Sequence, residues 1–214
     1  MNFNQKTYKE INNLIIKQHP LTKLMVVSKN RPESIIRQAL NEGALLFGEN
    51  KVQEAEKKFD ELRKDFHDIE LHLIGPLQTN KVKQALKVFD VIQSLDREKL
   101  IKEISKNYSE LMRTKKFYLQ INIGKENQKS GIHPDQTKSL YDYAIEKGLN
   151  IIGLMCIPPN GKEPDVYFHK MLELRDLINS NLLLSMGMSG DYLSALKYQT
   201  NGCLLYTSPS PRDS

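Results

Sequence analysis

Lys29 closes the run Leu24-Met25-Val26-Val27-Ser28-Lys29, four large apolar residues followed by a hydroxyl and an amine. Such a run reads as a strand buried on both faces, as in a parallel sheet covered by helices. Side chains two apart share a face, so Met25, Val27 and Lys29 point the same way. Asn30-Arg31-Pro32 stops the strand, because it combines turn residues with one that has no backbone N–H. Lys29 is therefore predicted at the carboxyl end of a core strand, the edge where α/β proteins bind ligands. An amine among apolar neighbours is disfavoured in its charged form and suits Schiff-base chemistry with an aldehyde. A lysine at an arbitrary strand end reaches past it into water instead. The rest of the chain decides between the two.

A second group lies far along the chain. Ser185-Met186-Gly187-Met188-Ser189-Gly190-Asp191 follows an apolar run and precedes a helical pattern. Free backbone N–H groups and the positive end of a helix dipole favour a phosphate there, although Ser-Gly-Asp also makes an ordinary helix start. Gly48-Glu49-Asn50 and Gly75-Pro76-Leu77-Gln78-Thr79-Asn80-Lys81 likewise open helices, and Asn50 either caps its helix or touches a ligand.

The elements that must position these groups alternate. A leading helix over 4–17 is followed by strand-like runs at 24–29, 45–47, 71–74, 88–92, 117–123, 151–157 and 182–184. Amphipathic segments separate them; the one after the fourth strand carries Leu100, Ile101, Ile104 and Leu111. In the fifth strand Phe117, Leu119, Ile121 and Ile123 share one face, while Tyr118, Gln120 and Asn122 share the other. In a barrel, one face meets the helices and the other fills the lumen. Seven tandem βα units demand a parallel sheet with right-handed crossovers, one strand short of a (β/α)₈ barrel. In that fold the loop after strand seven contributes to the phosphate site, on the same mouth as Lys29. A molecule with an aldehyde at one end and a phosphate at the other would bridge the two, and pyridoxal 5′-phosphate is such a molecule.

Composition narrows the alternatives. The 214 residues carry a formal net charge of +5 and a pI near 9.0, with lysines and glutamates interspersed along the helices. That is a solvated exterior with no groove-reading element, so a nucleic-acid partner is not expected. No run is long enough to span a bilayer, and no signal or transit pattern is present, so a cytoplasmic protein is expected. His19, His67, His72, His133 and His169 show no metal spacing, nor do Cys156 and Cys203. His72, set among leucines, reads as a satisfied core histidine.

Val26-Val27-Ser28-Lys29, Phe47-Gly48-Glu49-Asn50-Lys51-Val52-Gln53-Glu54, His72-Leu73-Ile74-Gly75-Pro76-Leu77-Gln78-Thr79-Asn80-Lys81 and Leu184-Ser185-Met186-Gly187-Met188-Ser189-Gly190-Asp191 resemble the signature blocks of the pyridoxal phosphate homeostasis protein family. The stretch 122–131 and Gly153-Leu154-Met155 fit as well. The resemblance implies a (β/α)₈ barrel of the alanine racemase N-terminal type. It implies that Lys29 carries the cofactor as an internal aldimine, that Asn50 lies beside the ring, and that Met188 and Ser189 contact the phosphate. It further implies a carrier or regulator of the pyridoxal phosphate pool, with no established turnover; the expected partners are the cofactor and the apoenzymes that depend on it, and a monomer is expected. A racemase-type enzyme is the alternative, but racemases supply a second acid/base from a separate β domain. The family continues into an eighth strand with Arg-Ile-Gly, whose arginine faces the pyridine nitrogen. Here the chain reads Asn201-Gly202-Cys203-Leu204-Leu205-Tyr206 and then a Ser/Pro-rich end. The expectation is a barrel domain over 1–202 with its eighth strand missing or replaced, and a non-native, disordered tail over 203–214.

Overall fold

In a computed structural model of the chain, residues 2–109, 111–126, 128–198 and 202–205 are described. Helix α1 (Gln5–Gln18) leads into an alternation of strands and helices. The order is β1 (Lys23–Val27), α2 (Glu33–Asn41), β2 (Leu46–Glu49), α3 (Val52–Asp65), β3 (Glu70–Leu73), α4 (Val82–Val88), β4 (Val91–Leu95) and α5 (Glu98–Asn107). It continues with β5 (Lys116–Ile121), α6 (Thr137–Glu146), β6 (Ile151–Cys156), α7 (Pro164–Ile178), β7 (Leu183–Ser185), α8 (Tyr192–Leu196) and β8 (Gly202–Leu205). The eight strands are all parallel, pair in sequence order and close into a barrel.

The period-two pattern sorts the side chains into two cores. Leu24 and Val26 of β1, with Phe117, Leu119 and Ile121 of β5, pack outward against the helix ring in the large core. Met25 and Val27 point inward with Leu46, Ile74 and Met188; Tyr118 points inward onto Val91 and Met155. The inward direction of Met25 and Val27 carries Lys29 to the mouth, as the sequence predicts.

Several boundaries differ from the sequence reading. The fourth strand is Val91–Leu95, not 88–92: Val88 is the last residue of α4, and Phe89 N–H caps that helix on Ala85 O at 3.0 Å. Strand propensity at Val88 and Phe89 yields to helix packing, for both side chains are buried against the outer core. β2 runs on through Gly48 and Glu49, while Leu45 stays outside it and exposed. Helix α5 ends at Asn107, so Leu111 is not on its buried face but 96% exposed.

Of the two expected fates of the eighth strand, missing or replaced, the structure shows the second. β8 pairs with β1 at Lys23↔Gly202, Leu24↔Cys203, Met25↔Leu204 and Val26↔Leu205, and with β7 at Ser185↔Gly202. The ring is therefore not left open, and Cys203–Leu205 belong to the barrel wall and not to a tail. A parallel edge needs only backbone N–H and C=O groups at the right spacing, and any extended segment without proline supplies them. The remainder of the expected tail, 206–214, lies outside the described residues. Among the described residues no helix is long and apolar enough to cross a membrane, and no cluster of ligating side chains could hold a metal.

Candidate functional site

The loops at the carboxyl ends of the strands converge on a cavity of about 270 Å³. Lys29, Asn50 and Met188 all line it, so three of the four residues singled out from the sequence meet in one place. Ser189 sits next to Met188, half-buried, outside that lining.

Each side chain is placed by its own loop. After β1 the chain turns through Ser28, whose N–H donates to Gly48 O at 3.0 Å and whose carbonyl accepts from Arg31 N–H at 3.0 Å. Lys29 leaves this turn half-buried. Asn50 follows β2 and is pressed against Gly75 from the β3 loop. A methyl group on Gly75 would lie 2.3 Å from Asn50 O and 2.7 Å from Asn50 Cα, so only glycine permits this approach. Ile74 N–H donates to Glu49 O at 2.9 Å and ties the same two loops together.

The loop after β7 is knotted on itself. Gly187 has φ +93°, and Met188 N–H donates to the carboxylate of Asp191. Met188 O in turn accepts from Asp191 N–H at 3.0 Å and from Tyr192 N–H at 2.8 Å. Burial pushes the Asp191 carboxyl above its ordinary range, against the pull of those backbone donors. One amide of the expected phosphate cradle is thus already engaged by Asp191.

Sequence reasoning did not single out the opposite wall. Gln120 and Asn122, on the lumen face of β5 and just beyond it, line the cavity together with Lys129 and Ser130. Asn122 accepts Glu126 N–H at 3.1 Å and donates to Glu126 O at 2.8 Å, shaping the loop that bears Lys129. Gln120 is buried, and its Oε1 has no hydrogen-bond partner among the described residues. The signal was present: polar side chains on the inner face of an otherwise apolar strand belong to a ligand or a network.

Below the mouth the lumen is crossed by a polar chain. Ser185 Oγ donates to Gln93 Oε1 at 2.7 Å, and Gln93 Nε2 donates to His72 Nδ1 at 2.6 Å. That leaves His72 Nε2–H to donate to Glu70 Oε1 at 3.1 Å, and Glu70 also meets Lys23 at 3.2 Å. His72 is a satisfied core histidine, neutral by this pattern, and burial pushes its pKa down. The hydrogen bond from His72 holds Glu70 low, at about 2.

The alanine racemase N-terminal domain family matches this chain over residues 6–204. The pyridoxal phosphate homeostasis protein of Aquifex aeolicus is 40% identical over 184 residues, covering 82% of this chain and 80% of that protein. The chain belongs to the pyridoxal phosphate homeostasis protein family. The Haemophilus influenzae member is 38% identical over 186 residues, covering 82% of this chain and 78% of its own length. Among solved structures, PipY of Synechococcus elongatus with PLP bound superposes with a TM-score of 0.81 at 32% identity, covering 93% of this chain and 97% of that one. Alanine racemase of E. faecalis shares the barrel alone: its TM-score is 0.72 at 14% identity, and this chain spans 59% of it. The family resemblance seen in the motifs thus extends to the whole fold.

Proposed function

We propose that this chain binds pyridoxal 5′-phosphate at the barrel mouth and serves the intracellular balance of that cofactor. The observation that carries the reading is the shared cavity of Lys29, Asn50 and Met188. The donor set suits the group. Lys29 supplies the amine that joins the aldehyde carbon with loss of one water. Asn50, held against Gly75, offers a rigid polar wall for the ring, and the Met188–Ser189 turn faces the phosphate end. The orphaned Oε1 of Gln120 is a buried acceptor on the same cavity, the kind of atom a ligand donor satisfies. When bound, the cofactor supplies an electron-withdrawing ring and a transferable aldehyde.

The reading does not include turnover. Racemisation needs acid/base groups on both ring faces, and besides Lys29 the one titratable side chain lining the described cavity is Lys129, whose ammonium is engaged by Glu126 at 2.6 Å and Pro158 O at 3.2 Å. The names of the relatives speak for a cofactor-handling role. In this reading a cytoplasmic monomer holds the cofactor and yields it to apoenzymes. The test is borohydride reduction of the loaded protein followed by peptide mapping. The pyridoxyl group is expected on Lys29, and Lys29→Ala is expected to stay colourless. An adduct on Lys51, Lys81 or Lys129 would refute the assignment. Steady racemisation of alanine or serine, lost in Lys29→Ala, would restore the enzyme reading.

A further inference from the structure

The residues on either side of Lys29 are tied to a charged cluster that lies outside the cavity lining. Ser28 donates its hydroxyl to Glu49 Oε1 at 2.7 Å, and its carbonyl accepts from Lys58 Nζ at 2.9 Å. Asn30 donates its backbone N–H to Glu54 Oε1 at 2.6 Å. Lys58 joins the two halves, lying 3.0 Å from Glu49 Oε1 and 2.6 Å from Glu54 Oε1. Three acceptors thus meet the three protons of one ammonium. The cluster is well enclosed: the Glu49 side chain is 0% exposed and that of Lys58 13%.

The backbone it grips turns sharply after the strand. Asn30 has φ +57°, in the left-handed region that asparagine enters more readily than most residues, and its N–H is held there by Glu54. Replacing a buried ion pair by apolar side chains is often neutral or stabilising, so fold stability alone does not call for charges here. Their bonds run to the two peptide units that flank Lys29, which points to a directional role.

We propose that Lys58, with Glu49 and Glu54, is a positioning cluster that fixes residues 28 and 30 so that the Lys29 side chain leaves the strand end aimed into the cavity. The proposal rests on Lys29 being the cofactor-bonded lysine. Its consequence is kinetic. Release of the aldehyde takes up one water and returns the amine to Lys29, and an amine held in place recaptures the aldehyde before it departs. Loosening the turn lets the amine wander, and cofactor is lost sooner.

The experiment uses the full chain loaded with pyridoxal 5′-phosphate. Wild type, Lys58→Met, Lys58→Arg and Glu54→Ala are compared by the rate of cofactor loss to an excess of a trapping hydrazine. Circular dichroism of the cofactor band and amide exchange at residues 29–31 of the unloaded protein are recorded alongside. Lys58→Met is expected to lose cofactor about 10-fold faster, the effect of losing the charge-assisted hydrogen bond that reaches the Lys29 turn at Ser28 O. Its cofactor dichroism should weaken and its 29–31 amides should exchange faster, while Lys58→Arg restores most of both. Should Lys58→Met fail to fold, Glu54→Ala decides, since it frees Asn30 and leaves the buried pair intact; a several-fold faster loss is expected. Borohydride mapping of the wild type checks the underlying reading separately, and an adduct elsewhere than Lys29 would overturn both. An adduct on Lys29 with unchanged release and dichroism in the folded variants would overturn the positioning cluster alone.

Discussion

Gly75→Ala puts the architecture of the site to a direct test. The added methyl would stand 2.3 Å from Asn50 O, 2.7 Å from Asn50 Cα and 2.8 Å from Asn50 C, where ordinary contact begins near 3.4 Å. All three are backbone atoms, so no rotamer change relieves the clash. The two loops must part by about 1 Å, and overpacking of this kind costs about 1–3 kcal/mol. At about 2–4 °C per kcal/mol for a chain of this size, Tm should fall by about 2–12 °C. The separation falls on Asn50 itself, and a misplacement of about 1 Å in a binding group costs up to about 100-fold. Gly153→Ala is the companion: its methyl would lie 2.3 Å from Tyr118 Cε1 and 2.5 Å from Leu183 O, a similar insult away from the mouth. The assay is thermal unfolding of both variants without cofactor, and titration with pyridoxal 5′-phosphate. Both should lose Tm, and only Gly75→Ala should lose affinity by 10-fold or more. Wild-type affinity in Gly75→Ala, or equal affinity losses in the two, would refute the reasoning.

Two further outcomes follow from the lumen and the closing strand. Burial lowers the His72 pKa below its ordinary 6.5, so the unfolded chain takes up a proton first and stability declines as pH falls below about 6.5. Glu70, held at about 2 against an ordinary 4.5, adds stability that is complete above about 4.5 and is lost as pH falls towards 2. Denaturant midpoints measured from pH 7 downwards should therefore fall in two stages, with His72→Gln flattening the upper one; a wild type and variant of identical slope would contradict this. Ending the chain before Gly202 removes the pairing of β8 to four residues of β1 and to Ser185. About five ladder bonds at about 0.5–1.5 kcal/mol each are a large share of a stability of about 5–15 kcal/mol, so the shortened chain should be largely unfolded at 37 °C by circular dichroism. Replacing 201–214 by a strand carrying Arg-Ile-Gly should instead raise both Tm and cofactor affinity, and equal values would show that the present strand suffices.

Much of the site was legible because it depends on local rules. An apolar run closed by Ser28-Lys29 and a turn is enough to put an amine at a strand end, and a period of two is enough to aim it inward with Met25 and Val27. Chain order then brings Asn50 and the Met188 turn to the same mouth, since every strand of a parallel barrel points the same way. The β4 boundary was not legible, because Gln93 and Ser94 are polar residues buried inside a strand. Gln93 is tolerated there by bonds to His72 and Ser185, which come from β3 and β7.

The sequence by itself determined the alternation of elements, the inward face of each long strand and the place of Lys29 at the mouth. Only the tertiary structure decided what surrounds that lysine. The Glu49–Lys58–Glu54 cluster joins the end of β2 to a turn of α3 and to the β1 loop, and no spacing rule links a glutamate in a strand to Ser28, 21 residues earlier. Closure was decided in space as well: the sequence left the eighth strand either missing or replaced, and Gly202–Leu205 complete the wall through backbone groups that every non-proline residue carries.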